Sequence, residues 1–256
     1  MPAVRVALLV ILLAPCALAI SPVYTLASVV NTATGLPDAF APNSMVTVYG
    51  TNLAYGTQAA GPGQIALPRM LANVQVMVNG GPADLYYVSP QQINFLIPSI
   101  LVPGPVKLYI MREGVVGPLL TLNLNETAPG MFPMPTGAVI ATHANGQLLS
   151  AESPAIPNEV VVIYAGGLGR VNPEENPGRA SLHAAPILLF SKLIVLLGSR
   201  PVDPGNVLYA GITPGFAGLY QINLRLPADV GEDPEIRVFV GEQGSPSFLK
   251  LPVRIQ

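Results

Sequence analysis

The apolar residues of this chain fall in short runs separated by Gly, Pro and Asn, rather than at the spacing of an amphipathic helix. Asn79-Gly80 directly follows one run and tolerates the positive φ angles of a tight hairpin turn. Strands at this spacing, without helices between them, predict antiparallel β-sandwiches rather than a parallel α/β sheet. The runs predicted to be strands are 74–78, 83–88, 106–111, 119–124, 160–164, 192–197, 236–240 and 248–255.

Two stretches of this pattern recur, in the same order, in the second half of the chain. The stretch 46–53 is similar to 161–168, and 87–98 is similar to 209–227. A repeat of this length indicates a duplicated domain rather than a short solenoid unit. We therefore predict an all-β chain of two tandem immunoglobulin-like antiparallel β-sandwiches, each of about seven strands.

The boundary between the two predicted sandwiches lies near Ala128-Pro129-Gly130, which gives domains at 20–128 and 129–256. A predicted hairpin around Asn145-Gly146 has no counterpart in the first half. This hairpin either completes the second sandwich or braces the two domains against each other.

The first 19 residues have the pattern of a secretory signal peptide. Arg5 precedes the apolar run 6–14, Pro15 ends it, and Ala19 closes a small-residue cleavage site. An uncleaved anchor and lipidation at Cys16 are the alternatives, although a proline before the cysteine disfavours lipidation. Cleavage would remove the only cysteine, so the mature chain is expected to lack disulfides. We predict a secreted or extracytoplasmic protein without a later membrane span.

Composition excludes one class of partner. Charged residues make up 10% of the chain and the formal net charge is −2. Nucleic-acid binding requires clustered Lys and Arg to displace counterions, so we expect no nucleic-acid partner.

The recurring amides are the most prominent polar residues. Gln92 and Asn94 lie two residues apart, as do Gln221 and Asn223, so each pair lies on one face of its strand. One hypothesis is a polar stripe that binds a ligand such as a glycan. The other is a structural clamp that satisfies the backbone of an adjacent loop or irregular strand. The clamp is favoured, because a fold used twice needs the same clamp twice.

Candidate catalytic and metal-binding residues are few. His143 and His183 are the only histidines, and neither has a neighbour at metal-ligand spacing. The Gly-x-Ser-x-Gly nucleophile motif is absent from the sequence. Asp229, Glu232 and Asp233 could contribute to a surface calcium site, but solvated loop charges are the favoured interpretation. We therefore predict no catalytic residues, no metal and no cofactor.

Several phrases of the sequence resemble a family of uncharacterised domains from secreted acidobacterial proteins, named after Solibacter. They are 48–53, 87–98, 128–132, 163–169 and 209–223. The chain departs from that pattern at two turns, 156–159 and 198–199. The resemblance implies tandem immunoglobulin-like domains of the IPT/TIG type, as in transcription factors and plexin ectodomains. It implies no catalytic residues, and fold analogy alone supplies no function.

The predicted function is an exported, non-enzymatic binding or structural module that acts through loops or strand edges on a rigid frame. Its partner would be a protein or glycan at the cell surface. Three alternatives remain. One is an assembly module that pairs edge strands with a partner chain, and another is an extracellular hydrolase, which requires His143 or His183 near a carboxylate. The third is a carbohydrate-binding module, for which the candidate tyrosines are Tyr55, Tyr86, Tyr87 and Tyr220.

Overall fold

The computed structural model describes residues 20–37, 39–61 and 63–255, so the predicted signal peptide and Cys16 lie outside the described residues. The described chain is all-β, with three short 3₁₀ helices at Leu26–Ser28, Phe190–Lys192 and Pro204–Asn206. None of the helices among these residues is long and apolar enough to cross a membrane.

The described residues of the first domain form ten strands in two antiparallel sheets. They are β1 (Val29–Asn31), β2 (Met45–Tyr49), β3 (Gln58–Ala59), β4 (Val74–Val78), β5 (Gly81–Pro82), β6 (Asp84–Val88), β7 (Gln92–Leu96), β8 (Gly104–Arg112), β9 (Val115–Val116) and β10 (Leu120–Leu124). One sheet has the order β1-β2-β7-β6-β3, and the other has β10-β8-β4-β5, with β9 paired to β8. This is the A-B-E-D and G-F-C arrangement of an immunoglobulin domain.

The second domain repeats that arrangement. Its strands are β11 (Gly130–Met131), β12 (Ala141–His143), β13 (Val160–Gly166), β14 (Ala185–Pro186), β15 (Leu193–Leu197), β16 (Arg200–Pro201), β17 (Val207–Ile212), β18 (Tyr220–Arg225), β19 (Ile236–Val240) and β20 (Gln243–Gly244). The sheet orders are β11-β13-β18-β17-β14, with β12 also on β13, and β16-β15-β19-β20. Strands β13, β18 and β17 thus take the places of β2, β7 and β6. The predicted fold class is confirmed, while the boundary after residue 128 stays a prediction.

Each sandwich has its own apolar core, because inward and outward residues alternate along its strands. In β4 the three valines are buried, whereas Gln75 and Met77 are half-buried. Strand β19 of the second domain shows the same alternation. This period of two is that of a strand with one face on a core. The buried residues form one cluster per domain, and neither cluster contains residues of the other domain.

Two expectations about the second domain are decided by the structure. The hairpin around Asn145-Gly146 completes the second sandwich, because its strand β12 pairs with β13. The predicted final strand 248–255 is wrong as a continuous strand. Only isolated bridges form, at Lys250 and Val253. Pro252 lies between these two residues and has no N–H to donate to a ladder.

Candidate functional site

The repeated amides lie beside tyrosines on neighbouring strands. On β7, Gln92 is opposite Tyr49 of β2, and Asn94 is opposite Tyr87 of β6. Residues directly opposite each other in an antiparallel pair point to the same face of the sheet. We call these four residues, Tyr49, Gln92, Asn94 and Tyr87, the first tyrosine–amide cluster.

The second domain contains the same cluster in the same register. Gln221 of β18 is opposite Tyr164 of β13, and Asn223 is opposite Tyr209 of β17. These four residues, Tyr164, Gln221, Asn223 and Tyr209, are the second tyrosine–amide cluster. These tyrosines were not identified from the sequence as neighbours of the amides. The sequence contains one indication of this arrangement, because each tyrosine belongs to one of the repeated stretches.

Both clusters lie on the outer face of their sheet. Ile93 and Phe95, the alternate residues of β7, are fully buried in the core, as are Ile222 and Leu224 of β18. The amides therefore point away from the core. Tyr49 is 49% exposed, and the other members of the two clusters are half-buried. Each cluster can be reached from solvent.

The amides of each cluster are hydrogen-bonded to each other. Nε2 of Gln92 donates to Oδ1 of Asn94 at 2.9 Å, and Nε2 of Gln221 donates to Oδ1 of Asn223 at 2.9 Å. The expected bonds to loop backbone do not form in the described part of the chain, because side chains two apart on a strand reach each other first. Each glutamine Oε1 can still accept a hydrogen bond and each asparagine Nδ2 can still donate.

Tyr209 lies flat along its sheet. Its hydroxyl donates to the carbonyl oxygen of Ile212 at 2.8 Å. A Cβ atom on Gly211 would lie 2.5 Å from the Tyr209 Oη, so the ring crosses directly over this glycine. Burial is the main cause that raises the pKa of Tyr209, with a smaller contribution from the Glu175 charge. One face of the ring is therefore fixed against the backbone of the sheet.

The four tyrosines that are candidates for carbohydrate binding do not form one face. Tyr220 is fully buried; its hydroxyl donates to the Gly169 carbonyl at 2.5 Å and accepts from Nδ2 of Asn43 at 3.1 Å. Tyr86 donates its hydroxyl to the Ala217 carbonyl, across the two domains. Burial raises the pKa of both tyrosines to about 12. That interpretation was wrong in its residues, because these two rings are part of the contact between the domains.

The remaining two of those tyrosines are separate from each other. Tyr55 is 62% exposed, and the guanidinium carbon of Arg112 lies 4.0 Å from its ring centroid. Arg112 is buried and donates to the carbonyl oxygens of Asn52, at 2.6 Å, and of Ile20. Tyr87 alone of the four belongs to a tyrosine–amide cluster.

His143 stands between a serine and a glutamate. Its Nδ1 contacts Oε1 of Glu159, and its Nε2 lies 3.1 Å from the Ser153 hydroxyl. Nε2 of Gln147 donates to the same hydroxyl at 3.0 Å. The order serine, histidine, carboxylate is that of a hydrolase triad. His143 therefore lies close enough to a carboxylate for acid–base catalysis, and the hydrolase alternative stays open.

Two features of the His143 surroundings differ from a working triad. The backbone N–H of Ser153, which should help to form an oxyanion hole, donates to the Ser150 hydroxyl at 3.2 Å. Oε2 of Glu159 accepts from the backbone N–H of Ile156 at 3.0 Å, as a turn-closing residue does. The other histidine, His183, bonds Ser181 through its backbone.

Two of the three candidate calcium-binding carboxylates have protein partners. Asp229 pairs with Arg200 at 2.8 Å, and Oδ1 of Asp233 accepts from the backbone N–H of Val253 at 3.0 Å. Among the described residues, no group of three or more His, Cys, Asp or Glu side chains could hold a metal ion.

The two domains are joined by backbone and side-chain contacts, which we call the joint. The backbone N–H of Leu67 donates to Gly178, and that of Ala180 donates to Ile65, both at 2.8 Å. The Thr127 hydroxyl donates to the Val240 carbonyl at 3.0 Å. These bonds hold the domains together from several different segments.

Glycines of the second domain make the close approaches of the joint. A Cβ atom on Gly178 would overlap the Asp84 carboxyl group, and one on Gly218 would lie 2.5 Å from the Leu96 side chain. Gly167 and Gly169 approach the first-domain segment at 126–128 in the same way. All four glycines have positive φ. Side chains of any size would separate the two surfaces.

No family profile and no curated protein matches the sequence. Several solved structures are similar to it. A surface glycan-binding protein, PbSGBP-B from Prevotella bryantii, is 12% identical with a TM-score of 0.27, over 89% of this chain and 42% of that chain. The extracellular region of plexin A4 is 13% identical with a TM-score of 0.30, over 91% and 18%.

A third similar structure, tandem Ig repeats of Dlar, is 14% identical with a TM-score of 0.21, over 86% of this chain and 94% of that chain. This chain spans less than half the length of the first two structures. At these TM-scores the similarity assigns neither a family nor a function. The tandem immunoglobulin-like fold follows instead from the strand order of the two domains.

Proposed function

We propose that this chain is an exported, non-enzymatic binding protein that acts at the cell surface or outside the cell. The observation that carries the proposal is the tyrosine–amide cluster, which occurs at equivalent positions on both outer sheet faces. Packing of the core does not require these side chains, since they point away from it. The same four side chains recur at equivalent positions that are accessible to solvent, and this recurrence supports a shared role in binding.

The proposed binding surface differs from the loops and strand edges expected from the sequence. It lies on the outer faces of the β1-β2-β7-β6-β3 and β11-β13-β18-β17-β14 sheets. The joint supports this role, because a rigid pair of domains presents both surfaces in a fixed relation. A fixed relation reduces the ordering entropy lost when a ligand contacts both.

Capture from the envelope of the producing organism tests the proposed function. The exported chain is immobilised beside a variant that carries Gln92→Ala, Asn94→Ala, Gln221→Ala and Asn223→Ala. A second, control variant carries Tyr109→Ala, which removes a half-buried tyrosine from the outer face of the other sheet. We expect the wild type and the control to retain the same envelope material, and the amide variant to lose it. Equal capture by all three proteins would contradict binding at the clusters.

The geometry at His143 favours a second candidate function, a serine hydrolase with Ser153 as nucleophile. In that case Nε2 of His143 would take the Ser153 proton, while Glu159 would orient the ring. A fluorophosphonate probe would then label the protein, and Ser153→Ala would abolish labelling while Ser150→Ala would not. If the protein only binds, neither hydroxyl should be labelled. The Ser153 N–H is bonded to Ser150 and does not complete an oxyanion hole that would activate Ser153.

A further inference from the structure

We propose that each tyrosine–amide cluster is a binding site for a neutral polysaccharide, and that the two clusters bind one polymer chain together. This inference rests on the proposed binding function and names its ligand class. It uses tyrosines other than Tyr55, Tyr86 and Tyr220.

The hydrogen-bonding groups of each cluster match a pair of sugar hydroxyls. The Gln92–Asn94 bond uses one glutamine donor and one asparagine acceptor. The glutamine Oε1 therefore remains an acceptor and the asparagine Nδ2 remains a donor. A hydroxyl both donates and accepts, so neighbouring hydroxyls of a sugar can satisfy both groups. The internal bond also orients the two amides in advance, which reduces the entropy lost on binding.

Tyrosine rings stand on both sides of the amides. Tyr49 is opposite Gln92, whereas Tyr87 is opposite Asn94 on the other neighbouring strand. With strands about 4.8 Å apart and alternate residues about 6.8 Å apart, these tyrosine Cα atoms are roughly 12 Å from each other. A short oligosaccharide spans that length, and the apolar faces of its rings can pack on the tyrosines.

The second cluster has a ring already in the required orientation. Tyr209 lies flat over Gly211, with its hydroxyl fixed by Ile212. A ring that is fixed along the sheet offers its outer face to a ligand without losing rotamer freedom on binding.

The side chains of both clusters are uncharged, which favours a neutral ligand. The eight residues are all tyrosine, glutamine or asparagine, and recognition of an acidic sugar would call for arginine or lysine at the site. Two charged groups lie at the margin of the second cluster. Arg225 follows Asn223 by two residues on β18, and the Glu175 charge contributes to the raised pKa of Tyr209.

Two equal sites on one rigid body favour a polymer over a single sugar. Binding of a repeating chain at one cluster raises its effective concentration at the other. Loss of one cluster should therefore weaken binding to the polymer much more than binding to a short oligosaccharide. A weakening of about 100-fold for the polymer is the order expected from such linkage.

Affinity electrophoresis in gels that contain hydroxyethyl cellulose, xylan, galactomannan or dextran tests the inference. The proteins are the wild type, Gln92→Ala/Asn94→Ala, Gln221→Ala/Asn223→Ala, the combined variant and Tyr109→Ala. We expect at least one polysaccharide to retard the wild type and Tyr109→Ala equally. Each double variant should be retarded less, and the combined variant should migrate as in a gel without polysaccharide.

Two results would overturn the inference. If a polysaccharide retards the wild type and the combined variant equally, the clusters are not the site, although the proposed binding function stands. If none of the four retards the wild type, a neutral polysaccharide is the wrong ligand class. The envelope capture then decides the binding function independently.

A measurement on the wild type covers the case in which a variant fails to fold. Titration with an oligosaccharide of the retarding polymer is followed through the side-chain amide NMR signals. We expect the Asn94 and Asn223 Nδ2 signals to shift. Shifts confined to other asparagine and glutamine side chains would place the ligand elsewhere and reject the clusters.

Discussion

Asp84 shows how a single buried carboxyl group influences the joint. It is 4% exposed, touches Gly178 of the second domain, and is paired with Arg69 at 3.2 Å. Burial raises its pKa, and the hydrogen bond and charge of Arg69 oppose that rise only in part. Folding therefore shifts the protonation equilibrium of Asp84 toward the neutral form, relative to the unfolded chain.

Replacement of Asp84 by Asn should stabilise the protein at neutral pH. Because the folded pKa is raised, the favourable contribution of Asp84 is present at low pH and is lost as the pH rises through the folded pKa. Asn keeps the shape of the neutral form at every pH. We expect a higher unfolding temperature than the wild type at pH 7 and a smaller difference at pH 3, measured by calorimetry. A lower unfolding temperature at pH 7 would mean that the Arg69 pair outweighs burial.

Buried tyrosines should make the protein sensitive to alkaline pH. Burial raises the pKa of Tyr24, Tyr86 and Tyr220 to about 12, from an ordinary value of 10.0. A raised folded pKa means that stability is fully present below pH 10 and is lost as the pH rises through about 12. The urea concentration at the midpoint of unfolding should therefore fall steeply between pH 10 and about pH 12.

Tyr220→Phe separates the contribution of one of these tyrosines. The variant loses the bonds to Gly169 and Asn43 and should be less stable by about 1–2 kcal/mol at pH 7. Its urea midpoint should then fall less steeply with pH than that of the wild type. An unchanged slope would show that Tyr220 does not contribute to alkaline unfolding.

At the level of the secondary-structure elements, the packing of strand β17 beside its edge neighbour β14 depends on a glycine. A Cβ atom on Gly211 would meet the Tyr209 ring on one side and the Ala185 carbonyl of β14 on the other. Gly211→Ala should therefore destabilise the protein by about 1–3 kcal/mol through overpacking. Gly231→Ala is the matched control, because nothing lies within 4 Å of its added Cβ. Equal urea midpoints for the two variants would disagree with this packing.

Strands were predictable from the sequence where apolar and polar residues alternate along them. The valines of β4 and the apolar residues of β19 define strands by period alone, since one face must be buried. The segment 248–255 is also rich in apolar residues but forms only isolated bridges. Its partners, Ala138, Ala155 and Glu235, come from three separate segments, so no local pattern reveals them.

The candidate sites were predictable only in part. The amides of each cluster are visible as a repeat, but their tyrosine neighbours depend on the register between strands, which the sequence does not specify. His143 meets Ser153 and Glu159 because a turn returns the chain to β13. Spacing alone therefore could not distinguish this contact from a distant arrangement.

For the whole molecule, the joint should make the two domains unfold as one unit. Gly178→Ala would force a side chain into the Asp84 carboxyl group and separate the domains there. Gly198→Ala is a matched control, because its φ of 62° is close to the 65° of Gly178 while its added Cβ has open space.

We expect the wild type and Gly198→Ala to show a single calorimetric transition, since the joint couples the domains. Gly178→Ala should show two transitions and cleavage near residue 128 under limited proteolysis. A single transition in Gly178→Ala, at the temperature of the control, would show that the close approach at Gly178 is not needed to couple the domains.

The distribution of glycines across the joint also constrains how copies of this protein could assemble. The second domain supplies the glycines, and the first supplies the groups that they approach, so the joint is heterologous rather than self-complementary. Heterologous surfaces that do not close on themselves propagate into open chains. Here one polypeptide carries both halves and closes them internally. A chain whose joint is opened would expose two complementary ends, and it should form head-to-tail or domain-swapped oligomers rather than symmetric dimers.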